Sequence, residues 1–480
     1  MSYLAVDDDI CALATVPGVS ALAVIRCAGP HCIDKLADIT NKPQKLKSCI
    51  GYQALFAEVR DGAETIDECV FVAFRAPKSP TGQNGIDIMC HGGTVTVRRI
   101  LSLLERHGFR TALPGEFMFR AVHNGKIDVL KAEAVDELIR AQTDIAQEAA
   151  VKKLKGGLRS EFEVLHAHLI AGAAACAVQL DYGEEEAGET IEVMYRELDT
   201  SYRLCTELIG SYAKGRLMQE GAVVVLAGKT NAGKSSLFNR ILKEERSIVS
   251  EVHGTTRDYV EAALDIGGIP VRLIDTAGLR STEDAIEAEG VRRTELLAES
   301  ADVVLYVVDG TQGCTPDDEE RMRRYKRCIR VWNKTDSEHA LPVPEVPLRT
   351  EEVLQVSGAT QGVTLLGDSE HFDAWVATAA KTGAGEHELM QKLFAVLTAE
   401  SNTGASLACS VSTKRQYLVL QRIEQNLKVL CEKLRYAKQH HFDMYYVDIQ
   451  EILAVYAELV GETNPEMILD SVFSQFCVGK

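Results

Sequence analysis

The sequence lacks several features that would place it in whole classes of protein. Its 13 cysteines include no CxxC pair, which argues against a disulfide framework or a zinc site and for reduced thiols in a cytosolic protein. Positive charge is scarce, because 52 Lys and Arg stand against 70 Asp and Glu, giving a net charge of −18. Any nucleic acid must therefore bind through local patches and not through a basic surface.

Targeting and membrane signals are also missing. The opening residues MSYLAVDDDI are acidic, whereas a secretory signal begins with a basic region. The most apolar segment, Leu169 to Leu180, is far shorter than the roughly 20 residues that a membrane span requires. We predict a core helix there and expect a cytoplasmic protein with no membrane partner.

Three basic runs are the candidate patches for nucleic acid. They are Lys152 to Arg159, Arg321 to Arg330 and Lys414 to Lys438. The alternative for each run is an ordinary solvated helix face.

The order of hydrophobic periods predicts a multidomain fold, and 480 residues suffice for about three domains. Residues 1–123 read as an α+β domain with one helix, Thr94 to His107, and residues 124–219 have a helical period. Residues 220–400 alternate strands and helices as a doubly wound, mostly parallel P-loop sheet does. The helical period returns in residues 401–480, which predicts a discontinuous helical domain with the α/β domain inserted. Residues 337–373 have no assigned role.

The strongest local motif is GKTNAGKSSLFNR, which begins at Gly228. It fits GxxxxGK[ST] between an apolar strand and a helix. The glycines allow backbone N–H groups to converge on phosphate oxygens, Lys234 adds charge, and Ser235 offers a hydroxyl to magnesium. The motif therefore predicts a nucleoside triphosphate site.

Later strand ends select the base. Asp275 to Gly278 (DTAG) supplies a carboxylate near magnesium and a glycine N–H near the terminal phosphate, and Asn333 to Asp336 (NKTD) follows a later strand. Asp336 can accept two hydrogen bonds from guanine, whereas adenine presents an acceptor at the ring position. The nucleotide is therefore predicted to be GTP, with Ala379 to Lys381 closing over the base.

The predicted GTP contacts are spread over five segments. They are Asn231, Ala232, Gly233, Lys234, Ser235, Ser236, Ser250, Thr255, Thr256, Asp275, Thr276, Ala277, Gly278, Asn333, Lys334, Asp336, Ala379, Ala380 and Lys381.

The loop GTTRD, Gly254 to Asp258, is the predicted switch. Thr256 would be the second magnesium ligand, ordered by the terminal phosphate; alternatively, it caps a helix. Leu279 stands where a Ras-like enzyme has its glutamine, so a potassium ion could stabilise the transferred charge instead. The predicted potassium ligands are Asn231, Ser250, Val252 and Thr255.

Glu287 is the candidate catalytic residue for orienting the attacking water through a bridging water. The alternative is a solvated helix residue, because the surrounding segment is acidic.

These motifs resemble the translation-factor-like class of GTPases. Two further segments, PGEFMFRAVHNGKIDVLKAEAVDELI from Pro114 and the terminal FCVGK from Phe476, resemble the MnmE (TrmE) family of tRNA modification GTPases. The resemblance covers nearly the whole chain. It implies a homodimer that works with an FAD-dependent MnmG-type flavoprotein, as a heterotetramer, on tRNA.

The resemblance also implies a reaction. A potassium-dependent GTPase would help to add an aminomethyl-type (carboxymethylaminomethyl) group to carbon five of the wobble uridine, with the one-carbon unit supplied by tetrahydrofolate bound to the N-terminal domain.

The matching folate positions are Arg26, Asp87, Lys126 and Lys480. Arg and Lys can bind a glutamate tail or polarise a pterin carbonyl, and a carboxylate can accept two pterin N–H bonds. Asp87 replaces the usual Glu and is one methylene shorter. Cys477 resembles the family's required cysteine, as a thiolate nucleophile or only a neighbour of the pterin.

A second function fits the same GTP motifs. It is a regulatory GTPase switch in ribosome or RNA assembly that performs no group transfer. The NGKIDV region and the CVGK tail favour the modification enzyme, because a simple switch does not need them.

Overall fold

The computed structural model describes residues 6–181, 190–244, 260–276, 296–344, 374–399, 409–437, 440–462, 476 and 479. Two compact units divide the chain. Unit 1 comprises residues 1–136, 153–201 and 422–480, and unit 2 comprises residues 137–152 and 202–421. The predicted division into residues 1–123, 124–219, 220–400 and 401–480 remains a prediction.

The strands and helices of the described residues are as follows, in chain order. The strands are β1 (Ile10–Leu13), β2 (Leu22–Ala28), β3 (Gln53–Asp61), β4 (Glu64–Phe74), β5 (Gly85–His91), β6 (Arg110–Thr111), β7 (Ala222–Ala227), β8 (Val260–Ile266), β9 (Ile269–Asp275), β10 (Val303–Asp309), β11 (Cys328–Asn333) and β12 (Val376–Ala377). The helices are α1 (Cys32–Ala37), α2 (Pro43–Lys47), α3 (Thr94–Arg106), α4 (Glu116–His123), α5 (Val129–Arg140), α6 (Asp144–Leu154), α7 (Gly157–Asp181), α8 (Thr190–Gly210), α9 (Tyr212–Glu220), α10 (Lys234–Glu244), α11 (Pro316–Arg324), α12 (Glu386–Thr398), α13 (Lys414–Tyr436) and α14 (Phe442–Val460).

Unit 1 begins with a six-stranded sheet in the order β3-β4-β5-β2-β1-β6. Its pairs are antiparallel except β1 with β6. The prediction of one helix in this region is wrong, because α1, α2 and α4 accompany α3. Helices of five to eight residues make roughly two turns at most, too few for a helical period to show in the sequence.

The apolar segment from Leu169 lies in a helix longer than predicted. Helix α7 has 25 residues, and by length and composition alone it could cross a membrane. It packs against α14, where Tyr456 donates a hydrogen bond to the carbonyl of Phe162 at 3.0 Å. Leu165 and Leu169 are fully buried, whereas Ile170, Val178 and Leu180 are exposed. One face of the helix therefore belongs to a helical core, and the other face does not.

Unit 2 contains a second six-stranded sheet in the order β12-β11-β10-β7-β9-β8. Every pair is parallel except β8 with β9. Alternate residues of β7 enter different cores, because Val224 packs on the side of α10 and α12 while Val225 packs on the side of α11. A sheet covered on both faces is the predicted doubly wound fold.

The described cysteines form no disulfide, and the second basic run is paired with acidic side chains of its own helix. Twelve cysteines are free thiols, and most are buried. In the second basic run, Arg321 and Arg324 pair with acidic side chains four residues earlier, Asp317 and Glu320. This part of the run is therefore a charge-paired helix face, as in the alternative interpretation.

Candidate functional site

The loop between β7 and α10 requires unusual backbone angles. Gly228, Asn231 and Gly233 have φ of 131°, 61° and 96°. A Cβ on Gly228 would lie 2.2 Å from the carbonyl oxygen of Val307, and a Cβ on Gly233 would lie 2.2 Å from Nδ2 of Asn333. Both glycines are thus required by close approach as well as by φ.

Lys234 points back into this loop. Its side chain is 7% exposed, and Nζ donates to the carbonyl oxygens of Gly228 and Lys229, each at 2.8 Å. Ser235 and Ser236 follow in the first turn of α10 and are exposed. A cation and a helix N-terminus at one concave loop make a site for an anion such as a phosphate.

The end of β9 brings a carboxylate to the same edge of the sheet. Asp275 is 3% exposed and lies opposite Leu226 of β7 in the parallel register. The next residue, Thr276, donates from Oγ1 to the carbonyl of Leu226 at 2.7 Å. A hydroxyl at Ser235 and a carboxylate at Asp275 are oxygen donors of the kind that magnesium prefers.

Asn333 joins three segments at the end of β11. It is 1% exposed. Its Nδ2 donates at 2.9 Å to the carbonyl of Ala232 in the loop of residues 228–233 between β7 and α10, which we call the phosphate loop. Its Oδ1 accepts from the backbone N–H of Ala380 at 3.2 Å and from Oγ1 of Thr378 at 3.3 Å. The phosphate loop and the predicted base loop are therefore held together by one amide.

Lys334 and Asp336 follow Asn333 at the end of β11. Lys334 has φ of 65°, and its Nζ lies 2.6 Å from Oδ2 of Asp309. Burial alone would raise the pKa of Asp309, but hydrogen bonds from Lys334 and Thr311 outweigh it and lower the pKa. Asp336 is exposed, as a carboxylate that recognises a base must be.

Asp309 and Thr378 were not predicted from the sequence. Asp309 fixes Lys334, and Thr378 bonds Asn333 and also accepts, through its carbonyl, from the N–H and Oγ1 of Thr335. The signal for Asp309 was available, because it is a polar residue at the end of an apolar strand in a parallel sheet. Thr378 has no comparable signal.

The base loop itself is short and tightly turned. Ala379 pairs with Ala384 in an isolated bridge, and Lys381 is exposed. Gly385 has φ of 77°, and a Cβ there would lie 1.8 Å from the carbonyl of Ala377. Of the predicted contacts, Ala380 bonds Asn333, and Ala379 and Lys381 flank Ala380 in the same loop.

Several predicted site residues lie outside the part of the chain that the structure describes. They are Ser250, Val252, Thr255, Thr256, Ala277, Gly278, Glu287, Cys477 and Lys480.

Two of the predicted folate residues meet in unit 1. Arg26 on β2 is directly opposite Asp87 on β5, and their side chains form a two-point ion pair with Nε–Oδ1 at 3.0 Å and Nη2–Oδ2 at 3.1 Å. The guanidinium also lies 6.0 Å from the ring centre of Phe117 and 3.5 Å from the carbonyl of Gly479. Each carboxylate oxygen can accept a further hydrogen bond.

Lys126 makes a different contact. Its Nζ donates to the carbonyl of Pro77 at 2.8 Å. It also lines a cavity of about 400 Å³, together with Lys131, Arg159, Asp128 and Glu462. Cations and carboxylates thus share the walls of this cavity.

No group of three or more His, Cys, Asp or Glu side chains suited to a metal ion occurs among the residues described. The predicted magnesium and potassium ligands are mainly hydroxyl and backbone groups, which are not among these four side-chain types.

Two protein-family models match successive parts of this chain. The model of the GTP-binding protein TrmE N-terminus matches residues 9–126, and the model of the MnmE helical domain matches residues 129–477. A protein of Treponema denticola named tRNA modification GTPase MnmE is 38% identical over 98% of this chain and 98% of its own length. A protein of the same name from Thermotoga maritima is 33% identical over 98% of this chain and 100% of its own.

Solved structures give a weaker match. A structure of Era from Aquifex aeolicus bound to GDP and AlF4⁻ is 24% identical, covers 44% of this chain and 67% of that chain, and has a TM-score of 0.25. That score is too low for a comparison of the folds.

Proposed function

The chain belongs to the MnmE family of tRNA modification GTPases, and on this premise we propose that it modifies carbon five of the wobble uridine of certain tRNAs. The group added would be of the aminomethyl type, carboxymethylaminomethyl. GTP hydrolysis would drive the rearrangements that this reaction needs, and the product would contain no phosphate from GTP.

The bonds of Asn333 are the observation that carries the nucleotide part of the proposal. One amide links the carbonyl of Ala232 to the N–H of Ala380, so the phosphate loop and the base loop are set at a fixed separation. The exposed carboxylate of Asp336 follows three residues later. A carboxylate accepts from the guanine ring N–H and amine together, which selects guanine over adenine.

Magnesium would be held by Ser235 and by Thr256, with Asp275 nearby. The buried carboxylate of Asp275 and the exposed hydroxyl of Ser235 fit a hard divalent cation. Potassium would be held by Asn231, whose φ of 61° belongs to the tight turn of the loop, with Ser250, Val252 and Thr255. Glu287 would orient the attacking water. Bound magnesium and potassium would supply positive charge to the phosphate oxygens.

One-carbon tetrahydrofolate would bind at Arg26, Asp87, Lys126 and Lys480, and would supply the carbon that is transferred. The pairing of Arg26 with Asp87 supports this assignment, because the guanidinium holds the carboxylate in place at 3.0 and 3.1 Å. Its remaining lone pairs can accept pterin N–H groups.

A homodimer is supported by the outer face of the sheet in unit 1. Phe56, Val70, Met89 and Val24 are successive cross-strand partners, so they share one face. Phe56 is 56% exposed, and Leu22, two residues before Val24 on the same strand, is 61% exposed. Exposed apolar side chains grouped on one face of a sheet are typical of an interface.

The proposed partners are therefore a second copy of the chain, tRNA and an FAD-dependent MnmG-type flavoprotein, in the cytoplasm. The competing function, a regulatory switch without group transfer, has the same nucleotide site. The family match through residues 9–126 and 129–477 favours the modification enzyme.

The test is mass spectrometry of wobble uridines from cells that lack the gene, complemented with wild type, Cys477→Ser or the control Cys431→Ser. Burial raises the pKa of Cys431 to about 11, so this thiol is protonated at neutral pH and its replacement should be harmless. We expect the carbon-five substituent to disappear in the deletion and to return with wild type and Cys431→Ser only. Unchanged uridines in the deletion would instead support the switch.

A further inference from the structure

The side chain of Lys229, the second residue of the phosphate loop, contacts residues outside that loop. Its Nζ lies 2.8 Å from Oδ2 of Asp318 and 2.5 Å from Oγ1 of Thr315. Thr315 is the N-cap of α11, and Asp318 lies in its first turn. The phosphate loop and the start of α11 are therefore joined through side chains.

Asp318 has more partners than a helix cap needs. Thr315 and Asp318 alone complete the capping box: the N–H of Asp318 donates to Oγ1 of Thr315, and the N–H of Thr315 donates to Oδ2 of Asp318. Asp318 also accepts from the hydroxyl of Tyr306 on β10 at 2.9 Å and from the ammonium of Lys229. The carboxylate is 2% exposed and connects the phosphate loop, β10 and α11.

The charge state of this carboxylate follows from its partners. Burial would raise the pKa of Asp318, but the hydrogen bonds from Lys229 and Thr315 outweigh it and lower the pKa. Asp318 is therefore ionised at neutral pH and faces the cation of Lys229. Such charge-assisted hydrogen bonds are shorter and stronger than neutral ones.

Lys229 in turn contacts the lysine of the phosphate site. Its backbone carbonyl accepts from Nζ of Lys234 at 2.8 Å, and the carbonyl of Gly228 accepts from the same ammonium at 2.8 Å. The contacts of the Lys229 side chain restrict the backbone of the same residue. The carbonyl of this backbone is one of the two that accept from the Lys234 ammonium.

We propose that Asp318 is a positioning residue for GTP, which acts through Lys229 to hold the phosphate loop and Lys234 in the geometry that binds phosphate. The inference rests on the phosphate loop being the GTP site. Holding a binding loop in its bound geometry before the ligand arrives reduces the ordering cost of binding. Loss of Asp318 should therefore weaken GTP binding with little effect on the chemical step.

The experiment uses the full-length protein with Lys229→Met, Asp318→Asn, the double variant, Lys229→Arg and the control Glu320→Gln. Glu320 is an exposed acid of the same helix that pairs with Arg324 at 2.6 Å, so the control removes the same charge without touching the loop. Kd for a GTP analogue, KM, kcat and the thermal midpoint are measured for each.

We expect each single variant, Lys229→Met or Asp318→Asn, to raise Kd and KM by roughly tenfold, as loss of a charged hydrogen bond does, with kcat changed less than about twofold. Because both substitutions remove one contact, the Kd of the double variant should be no higher than that of the single variant with the higher Kd. Lys229→Arg should restore binding, and Glu320→Gln should match wild type.

Two results would overturn the proposal. One is a double variant whose loss equals the product of the two single losses, since the residues would then act independently. The other is a lower thermal midpoint with unchanged Kd, which would make Asp318 a helix cap only. Wild-type protein that fails to hydrolyse GTP would instead refute the underlying function, and it is assayed first.

Discussion

Replacing Asn333 with Ala should damage GTP binding and the stability of unit 2 together. The side chain makes three buried hydrogen bonds, to Ala232, Ala380 and Thr378, at 2.9, 3.2 and 3.3 Å. At about 1 kcal/mol net for each bond, their loss costs on the order of 3 kcal/mol. Because all three bonds join parts of the protein to one another, most of this cost should appear as a lower free energy of unfolding.

The remaining effect of Asn333→Ala should appear in affinity. Without the amide, the phosphate loop and the base loop are no longer held at a set separation, and GTP must order them when it binds. We expect Kd for GTP to rise at least about tenfold, which corresponds to about 1.4 kcal/mol. Fluorescence titration with a labelled GTP analogue measures this change.

The stability of unit 2 can be measured separately. The sequence has 2 Trp, and Trp332 and Trp375 both lie in unit 2 with ring centres 5.1 Å apart. Tryptophan fluorescence in a urea titration therefore reports unfolding around this site alone. Asn333→Asp is the matched variant, because it keeps the acceptor for Ala380 but places a carboxylate against the carbonyl of Ala232. Wild-type affinity and wild-type urea midpoint in both variants would refute the reasoning.

Two other predictions test different parts of the molecule. Exchange of potassium for sodium at equal ionic strength should slow GTP hydrolysis strongly, because a cation would replace the missing glutamine; equal rates would remove Asn231 from a potassium site. In unit 1, Arg110 and the fully buried Arg120 both contact the carboxylate of Asp8. Burial alone would raise the pKa of Asp8, but the hydrogen bonds and charges of these two arginines outweigh it and hold the pKa below its usual range. The stabilisation is present above the unfolded pKa of about 3.9 and is lost as the pH falls through the folded pKa. Amide hydrogen exchange in α4 should therefore show Asp8→Asn less protected than wild type at pH 6, with the gap narrowing as the pH falls below the unfolded pKa; a constant gap would contradict this.

Much of the fold could be predicted from the sequence, because many strands and helices have a recognisable local pattern of apolar and polar residues. β10, for example, is VVLYVVD and is buried along its whole length, and a short apolar run between polar turns indicates a strand of a covered parallel sheet. The helices α13 and α14 likewise follow from their period. Helices α1, α2 and α4 were missed, since none exceeds 8 residues.

The site was predictable where chemistry is tied to a spacing. Gly228, Lys234 and Asp336 follow from such motifs, and the structure places the phosphate loop and Asn333 in contact. The supporting contacts are different, because they join residues far apart in sequence. Lys229 and Asp318 are 89 positions apart, and no periodicity or motif links a loop lysine to an acid that a helix cap already explains.

The division of the chain implies how GTP can serve a reaction that transfers carbon. The Arg26–Asp87 pair belongs to unit 1 and the phosphate loop belongs to unit 2, and phosphate is not part of the proposed product. We expect hydrolysis to act through a coupling free energy between nucleotide state and the affinity for folate, flavoprotein or tRNA. Such coupling is reciprocal for binding, so whichever of these ligands responds to GTP must change the affinity for GTP by the same factor. If none of them does so, hydrolysis in this chain is not coupled to the modification through binding equilibria.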